Sequence, residues 1–105
     1  MSSSNELLQQ ILEQSNALHE LIFNGELEEA ERVEVERGRL MRCCFSSESP
    51  FDNPQQAAEM IQKIIDSDKK AMAHGQQLYG DMKRDLARLQ QGNKAVRAYQ
   101  EAGAS

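Results

Sequence analysis

Apolar residues recur along the chain at helical intervals. Leu8, Ile11, Ser15, Leu18 and Ile22 follow one another at spacings of three and four, with Leu7, Leu12 and Leu21 beside the stripe. This pattern predicts an amphipathic helix over about residues 4–24. Ser4 offers a hydroxyl as its N-cap, and Asn24 and Gly25 tolerate the left-handed conformation that closes a helix. At 1.5 Å per residue such a helix is about 30 Å long.

A second helix is predicted over about residues 26–44, with Leu27, Ala30, Val33, Leu40, Met41 and Cys44 on its apolar side and Arg37 interrupting it. Glu28, Arg32 and Glu36 stand at i, i+4 and i+8, where they can pair along a solvated face. The weak apolar side means that this helix needs neighbours to persist. The stretch FSSESPFDNPQQ that follows is dense in Ser, Pro, Asp and Asn and reads as a loop over 45–53. Asn53, Pro54 and Gln56 then form a helix start: a capping side chain, a proline at the first helical position, and a Gln three residues after the cap.

From there Ala58, Ile61, Ile65, Asp68, Met72, Gly75, Tyr79, Met82, Leu86 and Leu89 repeat at spacings of three and four without a breaker pair. The periodicity predicts one long third helix over 54–91, on the order of 54 Å. Asp68 and Gly75 are the two flaws in its seam, the Gly costing about 1 kcal/mol relative to Ala. Gly92 and Asn93 read as its C-terminal stop, with Lys83, Arg84 and Arg88 suited to the negative end of the helix dipole. Ala95, Val96 and Tyr99 make a small apolar face on the remaining segment, 92–105. The expected fold is therefore all-α and a single domain, residues 1–105: an antiparallel three-helix bundle with one long third helix and a short, mobile C-terminal helical segment. A heptad seam is more often bundle core than ligand groove. Two shorter helices cannot cover one of this length, however, so some of Tyr79, Met82, Leu86 and Leu89 must meet the tail, a second copy in a homodimer, or a client helix. Met82 would suit an adaptable groove for an amphipathic helix.

Composition narrows the function classes. Only five of 105 residues are aromatic and no apolar run approaches 18 residues, so neither a β-sandwich nor a membrane span is expected. The N-terminal MSSSNELLQQ lacks the basic and apolar regions of a signal peptide, which points to the cytoplasm. A net charge of −5 argues against a general nucleic-acid binder. The charge is uneven: nine Glu against one Arg over 1–36, and five basic residues against one acid over 83–97. That asymmetry suits antiparallel helices whose unlike ends meet, and equally the recognition of a charged helix. Arg32, Arg37, Arg39 and Arg42, interleaved with Glu, read as a solvated helix face.

Candidate chemistry is sparse. Cys43 and Cys44 are adjacent, which is no disulfide framework, and nothing joins them to His19 or His74 as a nucleophile and its base. Cys44 reads as a small core residue and Cys43 as a bystander. The two histidines lack the close spacing of metal ligands, and no glycine-rich phosphate loop follows a strand. No catalytic, cofactor or metal site is expected.

Two stretches carry a family resemblance. GELEEAERVEVERGRLM, Gly25 to Met41, resembles the second-helix pattern of FliT-like flagellar export chaperones through Gly25, Glu26, Glu28, Ala30, Val33, Glu34, Arg37, Leu40 and Met41. Leu27 departs from it, standing where an aromatic is usual. GNKAVRAYQ, Gly92 to Gln100, is similar to the end of that family, closing in Ala-Tyr. The resemblance implies a cytoplasmic helical chaperone, without cofactor, that binds the C-terminal helical region of the flagellar filament-cap protein. It would prevent early self-assembly and deliver that client to the export gate and ATPase complex of the type III apparatus. It further implies a C-terminal segment that folds over the client groove, a gate contact at Tyr99, and in some members restraint of a flagellar transcription activator. The client groove is expected at Tyr79, Met82, Leu86 and Leu89, and the export-gate contact on the tail at Ala95, Val96 and Tyr99. A structural helical adaptor, a coiled-coil oligomer and an anti-activator remain as other readings.

Overall fold

The computed structural model of the chain describes residues 4–46, 51, 53–73 and 79–104, with side chains at all of these but 46, 79–82 and 102–104. Among the described residues there are four helices: α1 (Ser4–Phe23), α2 (Leu27–Ser46), α3 (Pro54–Met72) and α4 (Tyr79–Ala104).

The all-α class holds, and the three-helix description does not. The expected long third helix is two helices. α3 ends at Met72 with Ala73 as its cap, and α4 starts at Tyr79 and continues through Gly92 and Asn93, where a stop was expected. Both errors have a physical reason. A heptad seam looks the same whether one long helix presents it to others or two antiparallel helices press its halves together, and α3 and α4 do the latter. Gly92 and Asn93 serve packing inside α4: Gly92 faces the Phe45 ring, and the buried Asn93 donates from Nδ2 to Gln62 Oε1 at 3.1 Å. The expected separate tail is thus the last turns of α4, and Gly75 falls outside the described residues.

The side-chain contacts set the arrangement. Ser15 with Arg37 and the Ser4 carbonyl with Cys44 place α1 antiparallel to α2. Asn5 with Gln56 and His19 with Ser67 place α1 beside and parallel to α3. Gln62 with Asn93 joins α3 to α4, which are antiparallel because α3 runs with α1 and α4 with α2. α2 and α4 run parallel, joined through Arg37 and Asp85 and through Phe45 and Gly92, and touch least of the neighbouring pairs. The result is a bundle with extents of 47 × 28 × 18 Å.

Local chemistry closes the helices as the sequence implies. Gly25 at φ 77° lets its N–H reach the Ile22 carbonyl at 3.1 Å and the Glu26 N–H reach Leu21 at 2.9 Å, the paired bonds of a Schellman ending. Asn53 Oδ1 accepts from the Gln56 N–H at 3.1 Å, as the N-cap reading requires. Gln56 takes up Asn5 from α1 (3.4 Å).

The core lies in two apolar clusters. The larger holds Leu8 and Ile11 of α1, Leu40, Met41 and Cys44 of α2, Ile61, Ile64 and Ile65 of α3, and Leu89 and Val96 of α4. The smaller, toward the α1–α2 turn, holds Leu18, Ile22, Ala30 and Ala71. Between them on α1, α2 and α3 sit Ser15, Arg37 and Asp68, all fully buried. Burial, and to a lesser degree Cys43, pushes the Cys44 thiol up to about 12, so it behaves as a small apolar residue, while Cys43 is exposed.

Candidate partner-binding site

The expected groove and tail residues are successive turns of one helix. On α4, Asp85, Leu89, Asn93 and Val96 are buried and Leu86 is half-buried. Leu86, Leu89 and Val96 come together in the larger core cluster. Tyr79 and Met82 lie on the first turns of α4, and their side chains fall outside the described residues. Ala95 is exposed, and Tyr99 is 53% exposed.

Among the described residues, α4 is the helix held by the fewest sealed apolar side chains. α3 buries Ala57, Ala58, Met60, Ile61, Ile64, Ile65 and Ala71, whereas two of the four buried positions among the described side chains of α4 are polar. Complete burial of one Leu and one Val is worth roughly 3–6 kcal/mol before ordering costs.

The polar layer between the two clusters ties all four helices to one guanidinium. Arg37, expected on a solvated face, is fully buried because carboxylates from two other helices converge on it. Its Nη1 donates to Asp68 Oδ1 and Oδ2 at 2.8 and 3.0 Å and to Ser15 Oγ at 3.0 Å. Its Nη2 donates to Glu34 at 3.1 Å and to Asp85 at 3.4 Å. Its buried Nε has no partner among the described residues. Burial opposes the Arg37 charge, and Asp68, Glu34 and Asp85 outweigh it, so its pKa is raised. Glu34 goes the other way: burial first, then a hydrogen bond with Asp85, raises its pKa from 4.5 to about 9. At neutral pH the Arg37–Glu34 contact is therefore a hydrogen bond to a neutral acid.

His19 joins this layer from α1, with Nε2 2.7 Å from Asp68 Oδ1 and Nδ1 2.6 Å from Ser67 Oγ. A hydroxyl, an imidazole and a carboxylate in contact have the outline of a nucleophile set. Here the hydroxyl and the carboxylate belong to adjacent residues of one helix, and Asp68 is already committed to Arg37. The arrangement locks α1 to α3.

Among the described residues, two surface depressions flank the bundle. One of about 490 Å³ at the α1–α2 turn is lined by Gly25, Glu26, Leu27, Glu28, Glu29 and Arg32, where Arg32 pairs with Glu29 at 3.0 Å and Glu28 at 3.6 Å. The other, about 200 Å³, lies in the seam between α2 and α4 and is lined by Glu34, Val35, Gly38, Arg42, Arg84, Asp85 and Arg88. Neither was expected from the sequence. Asp68 stood out only as a flaw in its seam, and Arg37 as an interruption of an apolar stripe, a member of a solvated face and a residue of the family pattern.

A family model described as flagellar protein FliT matches residues 5–101, nearly the whole chain. No curated protein and no solved structure matches.

Proposed function

Since the chain belongs to the FliT family of flagellar proteins, a family of chaperones and not of enzymes, we propose that it guards the filament-cap protein before export. It binds the C-terminal helical region of that client, keeps it from assembling early in the cytoplasm and hands it to the export gate. No helix of the described residues is long and apolar enough to cross a membrane, in keeping with such a carrier.

The observation that carries the mechanism is the thin apolar anchoring of α4 by Leu86, Leu89 and Val96. An amphipathic client helix supplies the same kind of face, so it competes with α4, or with its C-terminal half, for the apolar surface of the other helices. A docked α4 then lowers the apparent client affinity by the fraction of molecules in which it is closed. Tyr99, which α4 leaves half-exposed, is free to meet the gate while Val96 holds the helix down.

The test is calorimetry with a peptide spanning the client's C-terminal helical region, against the full chain and against a chain ending at Gln91. The shortened chain should bind more tightly. Unchanged or weaker binding overturns the competition, and no binding to either overturns the choice of client.

A further inference from the structure

We propose that the seam between α2 and α4 is a second docking groove, for an acidic helical segment of a partner protein whose carboxylates meet Arg42 and Arg88 and whose aliphatic side chain meets Val35. The proposal is independent of which client the chaperone carries, because it concerns a surface that exists while α4 is docked.

The groove follows from the packing. α2 and α4 touch least of the neighbouring helices, and Gly38 leaves the α2 wall without a side chain where it faces α4. Arg42 lies across that gap, its Nη1 3.5 Å from where a Gly38 Cβ would stand. Arg84 and Arg88 line the facing wall one helical turn apart. On a chain of net charge −5, three arginines around one depression are a local reversal of sign.

The acids in the groove do not cancel it. Glu34 and Asp85 are buried and turn inward to Arg37 Nη2, at 3.1 and 3.4 Å, and Glu34 is neutral at physiological pH because its pKa is raised to about 9. Among the described residues neither Arg42 nor Arg88 has an ion-pair partner. Val35 supplies the apolar lip, 71% exposed.

Size and shape select the occupant. About 200 Å³ is below the roughly 300–1,000 Å³ of a small-molecule site, and it suits side chains projecting from a longer rod. Two parallel helices make a furrow along their axes. Carboxylates one helical turn apart on a helix lying in it are placed for Arg42 on one wall and Arg88 on the other. Among the described residues no aromatic side chain lines the groove for a base to stack on, which favours an acidic protein segment over single-stranded nucleic acid.

The probe is a fluorescent helical peptide of about four turns with Glu at i and i+4 on one face and Leu between them, beside a counterpart with Lys for Glu. Anisotropy with the full chain should show binding of the Glu peptide that weakens with added salt. The Arg42→Glu/Arg88→Glu chain should lose roughly tenfold or more in affinity for the Glu peptide and gain binding of the Lys peptide. Arg42→Glu alone alters an exposed side chain and should give a smaller loss in the same direction, so the test survives if the double variant fails to fold. No binding of the Glu peptide, equal binding of both peptides, or affinity indifferent to Arg42→Glu overturns the proposal. So does self-association of the chain that Arg42→Glu abolishes, which would make a second copy the occupant, or full displacement of the peptide by a single-stranded oligonucleotide.

Discussion

Arg37 Nη1 donates to both carboxylate oxygens of Asp68, at 2.8 and 3.0 Å, and neither side chain has exposed surface. The pair joins α2 to α3 across the bundle, and through Ser15, His19 and Asp85 the same layer reaches α1 and α4. It also divides the apolar core in two. Sliding any helix by a turn would put a guanidinium or a carboxylate into an apolar layer without a partner, so the layer fixes register at some cost in stability.

Removing one partner should therefore be far worse than removing both. Arg37→Met strands the Asp68 charge and is expected to cost about 3–5 kcal/mol, a large share of the stability of a domain this size. Arg37→Met/Asp68→Leu should recover much of that loss. Urea unfolding of the two single variants and the double gives the coupling, and strict additivity would mean that the pair is not a unit.

Glu34 makes the fold sensitive to alkali. Its pKa is raised from 4.5 to about 9, by burial first and by Asp85 next, so the folded chain keeps a proton that the unfolded chain releases above pH 4.5. The stabilisation is whole below pH 4.5 and is lost as pH rises through about 9. Across that window stability should fall, by at most about 1.4 kcal/mol per pH unit for one proton. Glu34→Gln cannot ionise and should flatten the dependence. Thermal unfolding from pH 5 to 9 checks this, and parallel curves for the two chains would refute it.

How much of this could be read from the chain depends on the range of the interaction. The α1 stripe, the Schellman turn at Gly25 and the Asn53 cap are local, and each is found where the spacing puts it. The fold-back between α3 and α4 was hidden, because a continuous heptad phase runs through it and the glycine that read as a stop, Gly92, is needed against Phe45. Arg37 and Asp68 were visible separately, as flaws. Nothing local says that two flaws 31 residues apart cancel each other. The residues that carry the family resemblance on α2 include Ala30, Glu34, Arg37, Leu40 and Met41, all buried, so in this chain that motif describes the core. The α2–α4 groove was illegible for the same reason as the fold-back, since it exists only once α4 lies beside α2.

Gly92 offers a test of the close approach itself. A Cβ there would stand 2.5 to 3.0 Å from three atoms of the Phe45 ring. Gly→Ala inside a helix ordinarily gains about 1 kcal/mol, but Gly92→Ala should lose about 1–3 kcal/mol through overpacking. In a Phe45→Ala background the same change should become stabilising. Denaturant midpoints of the four chains measure this, and a sign that does not invert would exclude the ring as the cause.

Val96 and Tyr99 lie one turn apart on α4, 2% and 53% exposed, and they separate anchoring from contact. Val96→Ala removes two sealed methyl groups and should cost about 2 kcal/mol. Tyr99→Ala removes a largely solvated ring and should stay within about 0.5 kcal/mol of the parent. If α4 competes with the client, part of the Val96 loss loosens the closed state, and client affinity should rise by up to roughly 30-fold. Tyr99→Ala should leave client affinity unchanged and weaken retention on the immobilised cytoplasmic domain of the export gate. Calorimetry for the client and surface retention for the gate read the two effects independently. Equal loss of both on Tyr99→Ala would make the tyrosine a structural residue. A Val96→Ala chain that is less stable yet binds its client no better would show that α4 is scaffold and leave the client to bind elsewhere on the bundle.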